Sequence, residues 1–316
     1  MSSIKEKILR QPRTWTDFFL LTLFLSFVLF LFGEGICIAI GIGNVTKLFT
    51  PDPAVQEFMA LYAEFFGAWV IFILMFVIFK GNRPILKEFL PDKKIKILIG
   101  LLAGGPLGFV LNSISVGASV LLGNLKLSYN RFEFLPMLGF VLFIFIQSGA
   151  EEIMNRCYVY QKLRRRYKNP LVAILGNSIF FMAMHLGNDG LSAAALTELA
   201  LWGVLFSLTI YYYDNLWASI AMHAAWNFTQ NIFYGLPNSG IPSEFSFLKL
   251  DNASDGFFYD TAFGVEGCWG SVLVLIITIG IFIAINRKKE CNDLWANWER
   301  PQRKKKAKDA AAAPSV

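Results

Sequence analysis

The chain has 316 residues, of which 55% are apolar and 16% charged, with a net charge of +6. Soluble domains carry about 25% charged residues, so this composition excludes a soluble globular protein, whose surface must be largely charged and free of wide apolar patches. The positive balance does not mark a nucleic-acid binder: Lys and Arg gather at the ends of apolar runs, as topology-setting charges do, and the basic run Arg303 to Lys308 reads as a cytoplasmic end that touches anionic lipid.

Eight apolar segments follow in chain order, at 17–41, 58–79, 96–122, 135–160, 171–186, 191–213, 216–235 and 269–286. A bilayer core takes about 20 apolar residues of helix. Backbone groups in lipid must be paired within the segment, so each run is expected to be helical. No period-2 alternation suggests a barrel. The expected fold is an all-α polytopic membrane bundle of about eight transmembrane helices. Lys5, Lys7, Arg10 and Arg13 ahead of the first run resemble a signal peptide. The run continues past Glu34 to about Ile42 without a small-residue cleavage site, so it reads as a retained first span. The fifth segment is short and ends at the turn Gly187 to Gly190, which suggests that segments five and six form an embedded helical hairpin. Cys37, Cys157, Cys268 and Cys291 form no CxxC pair, and no disulfide can be argued.

Charge placement sets the expected orientation. With the N-terminus inside and eight crossings, 24 Lys and Arg fall on inside segments and four on outside loops, leaving Arg156 within a span. This asymmetry favours both termini inside. The chain then divides into a basic N-terminus (1–16), N-terminal spans (17–134), a core (135–235), an extracytoplasmic loop (236–268), a last span (269–286) and a basic, disordered cytoplasmic tail (287–316).

Ionisable side chains at the bilayer centre cost about 2.5–3.5 kcal/mol each on insertion scales. The core holds several: Glu151, Glu152 and Arg156 in segment four, His185 at the end of segment five, and His223 with Asn227 in segment seven. The chain has two histidines, and both lie in apolar segments. Helical spacing sets Glu152 and Arg156 on one face at i,i+4, while Glu151 points about 100° away. One carboxylate can thus be paired while its neighbour stays free. His223 and Asn227 share a face, as do Phe181 and His185. A free Glu near a His can deprotonate water, alone or through a metal, and a second His with an Asn amide can donate to an oxyanion. Taken singly, each residue has a structural reading: Glu152–Arg156 as an ion pair, a lone His as a packed side chain, Asn227 as interhelical glue. Glu34 reads as lying near the outer interface, Glu64 as bundle-facing, and Glu198 as a candidate wall residue of the cavity.

At these positions the chain resembles the CPBP intramembrane proteases, also called the CAAX-protease and bacteriocin-processing, or Abi, family. Glu151-Glu152-Ile153-Met154-Asn155-Arg156 matches EExxxR, Phe181 to His185 matches FxxxH, and His223 to Asn227 matches HxxxN. The resemblance covers roughly residues 135–235. It implies a helical membrane fold with a conical cavity and an endopeptidase acting on a peptide or membrane-protein substrate. Glu151 and His185 would activate water, His223 and Asn227 would stabilise the oxyanion, and Glu152, Arg156 and Phe181 would support them. Glu151, His185 and His223 suit Zn²⁺ by ligand type, but their spacing is not HExxH, so metal-dependent and metal-free routes both stay open. The helix depths of the motif residues favour a cavity opening to the cytoplasm. The expected location is a prokaryotic plasma membrane. Two rival readings keep the same residues: a non-catalytic scaffold with this fold, and a proton-coupled transporter, for which an internal repeat is missing.

Overall fold

The computed structural model describes residues 7–12, 14–289, 291, 293–296, 298, 299 and 304. All eight apolar segments are helical. Helix α1 is Phe19–Ala39, α2 Pro53–Ala63, α3 Phe66–Ile78, the short α4 Leu86–Phe89 and α5 Ile95–Leu121. Helix α6, Phe134–Glu152, runs through a π-helical stretch, Ile153–Val159, into α7, Tyr160–Arg166. Then come α8 (Pro170–Met184), α9 (Ala193–Tyr213), α10 (Leu216–Phe228) with a π-helical extension Thr229–Phe233, and α11 (Trp269–Asn286). A two-stranded antiparallel ribbon pairs β1, Leu125–Tyr129, with β2, Leu248–Ala253.

Helix starts follow from local chemistry. Asp52 and Asn169 accept from the backbone N–H two residues on, and each precedes a proline at the first helical position. Ser192 caps α9 and Asn215 caps α10. Helix α9 ends on Asp214, whose φ of 52° lies in the left-handed region and turns the chain back at once into α10.

Among the described residues, six helical stretches are long and apolar enough to cross a membrane: 19–39, 53–78, 95–121, 134–166, 193–213 and 269–286. Their outward faces are apolar, with Leu20, Ile78, Leu102 and Ile285 exposed. The chain is a multi-pass integral membrane protein. Helix α8 has 15 residues and is shorter than a bilayer span, while α10 (13 residues) with its π-helical extension (5 residues) runs for 18. Helices α8 and α9 lie antiparallel, with Asn177 Nδ2 donating to Ser207 Oγ at 2.7 Å and Gly203 against Ser178.

Small residues bring the site-bearing helices together. A methyl group at Gly104 or Gly108 of α5 would overlap the carbonyls of Ala218 or Met222 on α10. Such close backbone approach is how helices associate in lipid, where apolar surface gains nothing by leaving the solvent. Gly33 of α1 and Gly67 of α3 make a second close crossing.

At the opposite end from the ribbon, buried Asp17 pairs with Arg165 and, at 3.3 Å, with Lys162. The Arg165 guanidinium lies 4.8 Å from the Trp295 ring centre, and Asp293 pairs with Arg10 and Arg164. Within 287–316, expected to be a disordered tail, the described residues 293–296 and 298 lie against the bundle. A buried tryptophan and a shared aspartate tie that stretch to the bundle. Residues 305–316 lie outside the described residues.

Candidate active site

Glu151 and Glu152 close helix α6 at the point where the α-ladder gives way to the π-helical stretch. The Asn155 side chain donates to the Glu151 carbonyl at 2.9 Å, competing there with the regular i→i+4 bond and favouring the wider turn. Glu152 and Arg156 are both fully buried, and Arg156 Nη1 donates to Glu152 Oε1 at 3.0 Å. The guanidinium carbon sits 4.8 Å from the ring centres of both Phe181 and Phe206. The expected i,i+4 pairing holds, and it leaves Glu151 on a different face.

Glu151 opens onto a cavity of about 440 Å³, shared with His185, His223, Asn227, Gln147, Asn188, Asn238 and Ser239. Gln147 Nε2 donates to Glu151 Oε1 at 2.5 Å. The other oxygen, Oε2, is buried, has no hydrogen-bond partner among the described residues and lies 3.9 Å from His223 Nε2.

Both imidazoles are anchored through Nδ1. His223 Nδ1 meets Glu152 Oε1 at 3.1 Å, and its ring stacks on Phe206 with centres 5.2 Å apart. His185, at the C-cap of α8, places Nδ1 2.8 Å from the Phe181 carbonyl. A carbonyl only accepts, so Nδ1 of His185 carries the proton and Nε2 keeps its lone pair. Asn227 Nδ2 donates to Ser148 Oγ at 3.2 Å, and its Oδ1 accepts from Asn238 Nδ2 at 3.4 Å. The cavity thus unites Glu151, His185, His223 and Asn227. Glu152, Arg156 and Phe181 lie behind it.

Several neighbours carry no signal in the motifs. Gln147 and Ser148 stand one turn before the glutamates. Asn238, Ser239 and Glu266 arrive from the 236–268 loop. Glu266 is buried and accepts from Trp226 Nε1 at 2.7 Å, Asn238 Nδ2 at 2.8 Å and Ser239 N at 2.7 Å. Burial raises its carboxyl above the ordinary carboxylate range, and these donors offset part of that rise. The one sequence cue is a carboxylate set among Phe263, Val265 and Cys268 in an otherwise polar loop.

Three expectations change. Glu198 does not line the main cavity; it is fully buried and bridges α9 to α11, accepting from Ser271 Oγ at 2.8 Å. Glu34 does line the cavity, from α1. The cavity also lies in the half of the bundle that carries residues 238–241, away from the Asp17–Arg165–Trp295 end, so it does not open on the side of the termini. The depths of two of the three residues agree once the helix ends are known: Glu151 lies 15 residues before Arg166 and His185 15 after Pro170, whereas His223 lies 7 after Leu216, the start of the shorter α10.

The zinc expectation meets an unfavourable arrangement. Among the described residues, no three His, Cys, Asp or Glu side chains cluster closely enough to hold a metal ion. The close pair Glu151–His223 lacks the third protein ligand of a catalytic zinc site.

An apolar helical bundle thus encloses carboxylate, imidazole and amide groups around one cavity, the group types that general acid–base chemistry uses. Residues 133–229 match the family model of the Rce1-like type II CAAX prenyl endopeptidases. That segment holds the three motifs and is similar to the CAAX-protease-like (CPBP) intramembrane proteases. No curated protein and no solved structure matches the chain.

Proposed function

We propose that this chain is an intramembrane endopeptidase that hydrolyses a peptide bond of a peptide or membrane-associated protein with water activated by Glu151. Glu151 Oε2 is the free acceptor, facing a cavity that His185 Nε2 shares. Glu151 takes a proton from water held between it and His185, and the resulting hydroxide attacks the carbonyl carbon. The Asn227 amide donates to the oxyanion that forms, and His223 donates from Nε2 when both of its ring nitrogens carry protons, Nδ1–H being held by Glu152. The C–N bond then breaks, and the proton on Glu151 passes to the departing amine. Glu152 holds His223 through Nδ1, and Arg156 neutralises Glu152, so the imidazole is oriented before substrate arrives.

The observation that carries this reading is the convergence of both histidines of the chain on a single cavity with Glu151, whose Oε2 has no hydrogen-bond partner among the described residues. The exposed rim of the cavity is apolar: Phe27 and Leu31 of α1, Leu61 of α2 and Ile241 of the loop. Such a rim suits a substrate segment that arrives from the bilayer. Glu151→Gln keeps the shape and removes the base, so cleavage of a peptide turned over by the wild type should fall below detection while the purified protein stays folded. His223→Ala should lower kcat by about 10²–10³, the usual loss for an oxyanion donor, with a smaller change in KM. Unchanged cleavage by folded Glu151→Gln overturns the assignment.

A further inference from the structure

Glu266 stands outside the matched segment 133–229, yet it is wired to the site from behind. Its Oε1 accepts from Trp226 Nε1 and from Asn238 Nδ2, and its Oε2 from the backbone N–H and hydroxyl of Ser239, the hydroxyl at 3.3 Å. Indole and backbone N–H groups only donate, and one stands on each oxygen, which is the arrangement that a carboxylate satisfies. The contacts fix a chain of assignments. Asn238 faces a carboxylate at 2.8 Å, so the atom it presents is its NH₂ group. The same NH₂ reaches Asn227 at 3.4 Å, so the atom it meets there is the carbonyl oxygen Oδ1. Asn227 is then left with Nδ2 turned to Ser148 Oγ and, at 3.4 Å, to Gln147 Oε1 on the cavity wall.

The loop that carries this chain is held firmly. Ser239 has φ of 50°, a conformation unfavourable for a residue with a side chain, and its N–H bond to Glu266 helps to keep it there. Asn188, three residues after His185, donates to the Ser239 carbonyl at 2.9 Å. Trp226, next to Asn227, packs against Trp202 with ring centres 4.6 Å apart.

We propose that Glu266 is a positioning residue for Asn227: through Asn238 it fixes the Asn227 amide with its N–H donors facing the cavity. This rests on the reading of Asn227 as an oxyanion donor. The 236–268 loop is then a working part of the site. Freed of Asn238, the Asn227 amide keeps only Ser148 and Gln147, whose side chains can donate as well as accept, so it can rotate and present its oxygen to the oxyanion, which repels it.

The test is kinetic, in detergent micelles, on a quenched fluorogenic peptide that the wild type cleaves. Asn238→Ala, which leaves Glu266 its bonds to Trp226 and Ser239, should lower kcat about 10–100-fold, as loss of an orienting partner does, with little change in KM or melting temperature. Glu266→Ala should lower kcat by the same factor. In an Asn227→Ala background, Asn238→Ala should change kcat by under about twofold, because its effect runs through the missing amide. A full, multiplicative loss in that background overturns the proposal, as does unchanged kcat in folded Asn238→Ala. If Asn227→Ala itself leaves kcat intact, it is the oxyanion reading that fails. Should Glu266→Ala not fold, the Asn238 cycle still decides.

Discussion

The Glu152–Arg156 pair fixes His223, and it does so without any exposure to solvent. Removing one partner of a buried pair strands the other charge and costs about 3–5 kcal/mol in soluble proteins. Arg156→Met should therefore destabilise the folded protein by that order, since it also removes the guanidinium packed between Phe181 and Phe206. Glu152→Gln combined with Arg156→Met should recover much of the loss. Thermal unfolding in micelles, followed by tryptophan fluorescence, reads both, and a wild-type midpoint for Arg156→Met sinks the argument. At this scale the sequence was informative where a polar group interrupts an apolar run, because lipid makes such groups costly. Glu151, Glu152, Arg156, His185, His223 and Asn227 stand out on that ground. Gln147 and Ser148 are milder polar residues and do not. Asn238 lies among other polar loop residues, where nothing in composition separates a residue folded into the site from one facing water, and Glu266 shows only its apolar setting of Phe263, Val265 and Cys268. Glu34, read from the sequence as lying near the outer interface, is turned by α1 onto the cavity, which its sequence neighbours do not reveal.

Among the helices, every apolar run became helix, but composition did not reveal how those helices are modified. The π-helical stretches at 153–159 and 229–233 have the same apolar character as regular helix, and Asn155 bonding to the Glu151 carbonyl gives no periodic signal. Nor does hydropathy distinguish a lipid-facing glycine from one at a crossing. Gly104 and Gly105 are neighbours in α5, yet only Gly104 meets α10, and a methyl at Gly105 has nothing within 4 Å. Gly104→Ala should force α5 off the helix that carries His223, costing about 1–3 kcal/mol as overpacking does, and should reduce turnover. Gly105→Ala should keep activity and be neutral or stabilising by up to about 1 kcal/mol, the helix-propensity difference. Unfolding midpoints and initial rates for the two variants side by side decide the matter. Equal behaviour of the pair contradicts the close crossing.

For the whole molecule, charge asymmetry and cavity placement make a joint prediction. The basic segments lie at the end where Asp17, Arg165 and Trp295 meet, and the cavity lies in the other half with residues 238–241. If Lys and Arg mark the inner face, the site opens on the outer half of the membrane and the 236–268 loop faces outward. Composition alone favoured a cytoplasmic opening, because helix depth was counted from segment ends that ran too short: the fourth span continues to Arg166. A cysteine placed at Ser254, in the acidic outer loop, and one placed at Lys288, after α11, test this directly. Cys37, Cys157 and Cys268 are buried, so a Cys291→Ser background leaves little native thiol to react. A membrane-impermeant maleimide added to intact cells should label Ser254→Cys at once and Lys288→Cys only after permeabilisation. The reverse pattern would invert the bundle and turn the cavity, with Glu151 and both histidines, towards the cytoplasm. The site geometry would be unchanged, but substrate would have to reach it from the opposite side.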